Sequence, residues 1–140
     1  MRVDFYLLKA SDPCHFFCRF LEKMATLGHS VFLFSADLDF LEMLNDQLWT
    51  FKPESFIPHE LYVDAQQSAP KAPIVLSTRQ PDTRWTDILI NYTASIPDFA
   101  QQFSRIIEIV PEEETLKSLA RERYKQYQQR NYAVQMHTLD

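Results

Sequence analysis

Short runs of apolar, β-branched and aromatic residues alternate along this chain with longer stretches whose apolar residues return every three or four positions. "VDFYLL" at 3–8 reads as a buried strand, and "SDP" after it supplies turn residues and a helix start. In "CHFFCRFLEKMATLG", Phe16, Phe17, Phe20, Leu21, Met24 and Leu27 keep helical spacing up to Gly28, the only glycine, which fits a C-terminal cap. "HSVFLFSAD" is a second buried strand, leading to an aspartate able to cap the helix "DLDFLEMLNDQLW". Further strands are expected at 74–78, 87–93 and 105–111, and a short helix at "IPDFAQQF" with Pro97 near its first turn. A last helix covers "EEETLKSLARERYKQYQQR", its glutamates clustered where the helix dipole favours negative charge.

Between these elements, prolines frame "SFIPHEL" in 50–73, which reads as a surface segment with exposed apolar residues followed by a polar loop. The tail "NYAVQMHTLD" either adds an edge strand or packs loosely. Strand and helix in alternation predict an α/β fold: one three-layer domain over 1–140, a mostly parallel sheet with helices on both faces, in a Rossmann-like topology. Fold alone says nothing about function.

Composition narrows the functional classes. A length of 140 residues suits one domain, and 46% hydrophobic with 24% charged residues fits a packed globule. The net charge of −5 argues against binding nucleic acid across the whole surface, which needs a broad field of Lys and Arg. The start carries acids and no leader pattern, and no apolar run approaches the roughly 20 residues of a membrane span, so a cytoplasmic protein is expected. Cys14 and Cys18 lie four apart, on one face of the first helix; with His29, His59 and His137 scattered singly, they are expected to be buried or partly buried free thiols.

Catalytic patterns are largely missing. A phosphate or dinucleotide site needs glycines at the first strand-to-helix turn, and here that turn reads "LLKASDPCH". With one glycine in the chain, neither G-x-G-x-x-G nor a P-loop can be written. Ser11, Ser35 and Ser77 lack the glycines of a nucleophile elbow. His59, without a partner in view, reads as a structural or interface histidine. Asp37 and Asp39 in "SADLDF" follow a strand, where α/β enzymes place carboxylates on a metal; the plainer reading is a helix cap and a first-turn acid. No cofactor or metal is expected.

The last helix is the exception to this plainness. At about 100° per residue, Leu116, Leu119, Ala120 and Tyr127 share one stripe, taken as the core face. Lys117, Arg121, Tyr124, Lys125 and Gln128 share the adjacent one and form a ridge beside it, which Arg123 or Arg130 extends by reaching over. An ordinary solvated face explains such a ridge. So does an anion site for a peptide, with arginine forking onto a carboxylate, lysines meeting acidic side chains and an apolar slot for a ring.

Several stretches point to a family. "FYLL", "LW" at 48–49, "ESFIPHEL" at 54–61, "DILINY" at 87–92, "DFAQQF" at 98–103, "IEIVP" at 107–111 and "LKSLARERYKQY" at 116–127 together resemble the chi subunit of bacterial DNA polymerase III. The resemblance runs through nearly the whole chain, and "ESFIPH" and "LARERYKQY" are its most specific parts. It implies a small α/β accessory subunit without enzymatic activity of its own, which pairs with the psi subunit and so with the clamp loader. It also implies a site for the acidic C-terminal tail of single-stranded DNA-binding protein, which ends in phenylalanine, and hence only indirect association with single-stranded DNA. By matching motif, Lys117, Arg121, Tyr124 and Lys125 would bind that tail. Trp49, Phe56 and Pro58 would face psi, in keeping with exposed aromatics rimmed by polar residues. The rival expectation is a metal-dependent nucleotide or phosphate hydrolase using Asp37 and Asp39.

Overall fold

The computed structural model describes residues 1–51, 56–64 and 66–139. Seven strands, β1 (Arg2–Leu7), β2 (Val31–Ser35), β3 (His59–Tyr62), β4 (Ile74–Ser77), β5 (Ile88–Tyr92), β6 (Arg105–Val110) and β7 (Ala133–Thr138), make one sheet in the order β3-β4-β2-β5-β6-β1-β7. Every neighbouring pair in it is parallel. Three α-helices connect them: α1 (Cys14–Thr26), α2 (Leu38–Thr50) and α3 (Glu114–Gln129), with a 3-10 turn at Asp98–Gln102.

The period-2 alternation of the strands splits the core in two. Val31, Leu33, Ile74, Leu76, Ile88, Ile90, Ile107 and Ile109 pack with Phe17, Leu21, Leu41 and Leu44 of α1 and α2. On the opposite face, Val3, Phe5, Phe32, Val75, Leu89 and Ile106 pack with Ala100, Phe103, Ala120 and Tyr127. Both faces of the sheet are thus buried, as parallel sheets require, and the three-layer α/β expectation holds.

The caps follow local chemistry. Asp37 Oδ1 accepts the Phe40 amide at 3.1 Å and starts α2. Gly28, at φ +82°, follows α1 and ends it. Asn131, at φ 64°, turns the chain from α3 into β7, since a short polar side chain tolerates the left-handed region. That turn settles the tail as an edge strand, tied to β1 from Met1 O–Ala133 N at 3.0 Å to Leu7 O–Leu139 N at 3.0 Å. The end of "SFIPHEL", expected as a surface segment leading into a loop, instead forms β3 at the other edge. Its register is set by Ser77 Oγ, which donates to Tyr62 O at 2.5 Å, and by Glu60, which accepts the Lys71 and Ala72 amides at 2.6 Å each.

Candidate functional site

α3 begins at Glu113, whose carboxylate accepts the Thr115 and Leu116 amides at 3.2 and 2.8 Å. These backbone bonds, led by that of Leu116, hold its pKa below the ordinary glutamate value. From there Lys117, Arg121, Tyr124, Lys125 and Gln128 run along one side of the helix, as the 100° spacing requires. Arg121, Lys125 and Gln128 are exposed, whereas Lys117 and Tyr124 are half-buried. Lys117 is ion-paired with Glu112 and lies 3.9 Å from Glu114; the Glu112 bond lifts the ammonium pKa above its ordinary value. Lys125 Nζ lies 3.6 Å from Glu122. Arg121 has no ion pair or hydrogen bond among the described residues, so it is the ridge's uncommitted cation. The Tyr124 ring packs 5.5 Å from Phe5, which fixes it as a wall.

Two expectations about α3 are corrected. Leu116 and Leu119 are not core residues; they are 37% and 36% exposed. Arg123 does not reach toward the ridge but is buried, its Nε and Nη2 each 3.1 Å from Glu108 Oε1 and its Nη1 3.2 Å from Ala94 O. One cause explains both. Glu108 sits fully buried on β6 and also accepts Tyr127 Oη at 2.7 Å and Asn91 Nδ2 at 2.9 Å. Satisfying that carboxylate turns Arg123 and Tyr127 inward, so the buried stripe is Ala120, Arg123 and Tyr127 and the leucines move to the flank. An acid inside the apolar run "RIIEIV" was the sequence signal for an inward cation.

The second candidate surface is aromatic. Trp49 at the end of α2 and Phe56 before β3 are 55% and 71% exposed, with ring centroids 5.8 Å apart. Pro58 is half-buried beside them, and Glu54 and Ser55 of the "ESFIPH" motif lie outside the described residues. Ile57 and His59 are buried and root this stretch; His59 Nδ1 lies 2.6 Å from Ile57 O, and its ring is 4.7 Å from Trp49. His59 thus lies beneath an exposed aromatic pair, its buried Nε2 without a hydrogen-bond partner among the described residues.

The remaining candidates resolve into structural roles. Asp37 is the α2 cap, Asp39 is an exposed first-turn acid, and no cluster of three metal-ligating side chains occurs among the described residues. Cys14 and Cys18 are buried free thiols, their pKa values pushed up to about 12 and about 11, chiefly by burial. No helix of the described residues is long and apolar enough to cross a membrane.

Residues 1–135 match the family described as "DNA polymerase III chi subunit, HolC". The chain belongs to that family. It is 38% identical over 141 residues to DNA polymerase III subunit chi of Pseudomonas aeruginosa, which covers 99% of this chain and 96% of the relative. It is 40% identical over 84 residues to the chi subunit of Haemophilus influenzae and 39% identical over 84 residues to that of Escherichia coli. Those two matches span 59% and 60% of this chain, and 57% and 56% of the relatives. The chi-family chain is thus a subunit of the replicative polymerase assembly, with a place in DNA replication.

Proposed function

We propose that this chi-family subunit is a non-enzymatic adaptor. In this reading its Trp49–Phe56–Pro58 surface docks psi, and through psi the clamp loader; its α3 ridge holds the acidic, phenylalanine-ended tail of single-stranded DNA-binding protein. The observation that carries it is the ridge. On a chain of net charge −5, Arg121 stands exposed and, among the described residues, unpaired between Lys117 and Lys125, next to a tyrosine wall. An arginine fork suits the terminal carboxylate, and the two lysines suit the side-chain acids. Because Lys117 and Lys125 are already shared with Glu112 and Glu122, the peptide exchanges ion pairs rather than adding them, and Arg121 carries the larger net gain.

Calorimetric titration with a short acidic peptide ending in phenylalanine tests the reading. Saturable binding is expected, weakening with salt as exposed pairs are screened. Arg121→Ala should cost about 1–3 kcal/mol, and removal of the final phenylalanine should abolish binding. A well-folded protein that ignores the peptide would leave the ridge a solvated face.

A further inference from the structure

On the α1 side of the sheet, the β1–β7 edge is not roofed as it is on the α3 side, where Phe5 is sealed by Tyr124 and Tyr127. A groove of about 910 Å³ runs there between α1 and the strands. Its floor is aromatic: Tyr6 packs against Phe16 and Phe20 at 5.5 and 5.6 Å, with Leu139 beside them. Its lip is α1, where Arg19 and Lys23 stand four residues apart, exposed. Like charges at that spacing oppose each other.

Charge bookkeeping around the groove leaves those two cations over. Arg105 Nε is held by Asp4 at 2.9 Å, and His29 Nδ1 by Asp87 at 3.0 Å. Asp12 caps the Cys14 amide at 3.0 Å, and Lys9 and Glu22 are both engaged within the fold. Among the described residues, neither the Arg19 nor the Lys23 side chain has a hydrogen bond or ion pair. A concave apolar floor beneath unpaired cations on a net-acidic chain is complementary to an acidic segment with a bulky apolar anchor.

We propose that this groove is a second docking site, independent of the α3 ridge, for an acidic peptide segment of a partner protein: its aromatic or leucine anchor sits against Tyr6, Phe16 and Phe20, and its carboxylates meet Arg19 and Lys23. Single-stranded nucleic acid fits less well. The rings are stacked on one another (Phe16 on Phe20 at 5.9 Å, Tyr6 on His137 at 4.7 Å) rather than presented as free platforms, and two cations do not make a phosphate track.

The test is an amide-resolved NMR titration of the isotope-labelled full chain with an amidated nonapeptide of aspartates and glutamates around a central Phe-Leu pair. Saturable shifts are expected at 16–23 and 137–139. Affinity should fall roughly ten-fold or more in Arg19→Glu/Lys23→Glu and by an intermediate factor in Arg19→Gln/Lys23→Gln. Replacing Phe-Leu by Ala-Ala in the peptide should weaken it. Shifts confined to α3 or to Trp49, equal affinity in the charge-reversed protein, or tighter binding of oligothymidylate at the same amides would overturn the proposal.

Discussion

Two carboxylates among the described residues are completely buried, both face arginine, and their pKa values move in opposite directions. Glu108 lies mid-sheet under α3. Full burial raises its pKa and outweighs the Arg123 charge and the bonds from Tyr127, Asn91 and Arg123. Asp4 lies on β1, one strand from the edge. Burial pushes it up as well, but His137, Arg2 and Arg105 all bond to it and together hold it below its ordinary value. One arginine in a sealed site does not offset desolvation, whereas two arginines and a histidine hydrogen bond near the sheet edge do.

The sharpest way to break this contrast is to remove one arginine from each site. Arg123→Ala should cost about 3–5 kcal/mol in urea unfolding, because Glu108 is left buried with no counter-charge. Arg105→Ala should cost only about 1 kcal/mol, because Asp4 keeps its bonds from Arg2 and His137, whose side chains are partly exposed. Similar losses from both would mean that burial, rather than the number of partners, governs each site. A smaller step is Tyr127→Phe, which deletes the 2.7 Å bond to Glu108 and keeps the ring; a loss of about 1–3 kcal/mol is expected.

The finest test is pH. Asp4, with a folded pKa below 3.8, contributes stability that is present above that value and lost as pH falls through its folded pKa. Glu108, with a folded pKa above 4.5, acts the other way: its contribution is full below 4.5 and lost as pH rises through its folded pKa. The advantage of the wild type over Asp4→Asn should therefore shrink below about pH 4, and its standing relative to Glu108→Gln should decline as pH rises from about 4.5. Parallel urea midpoints across that range for either variant would show that its carboxylate is not titrating as described.

These sites also mark how far the sequence could be read. Strands and helices with clean periods were legible, down to the Asp37 cap and the Gly28 stop, because their signals are local. β3 was not, since its four residues are held by Glu60, Ser77 and a parallel neighbour rather than by their own alternation. The rotation of α3 was misread for a related reason. Periodicity counted Leu116 and Leu119 as core, but the helix is turned by a buried acid on a different strand. The ridge survived that error, because Lys117, Arg121 and Lys125 share a side under either rotation. The aromatic pair of Trp49 and Phe56 was found through its motif, whereas Arg19 and Lys23 carried no motif and needed the open sheet edge to give them meaning.

β7 pairs with β1 across a sequence separation of 133 residues at the Asp4–His137 bond. During synthesis, the strand made first therefore has neither of its neighbours until β6 is made, and keeps one hydrogen-bonding edge bare until β7 follows. At roughly 5–20 residues per second, the interval between making β1 and β7 lasts several seconds or longer. Such long-range parallel pairing folds slowly and leaves a template for wrong partners in the meantime. The nascent chain is therefore most exposed to misassembly just before its final strand arrives, and truncations that remove β7 should aggregate even though they leave the ridge and the aromatic pair intact.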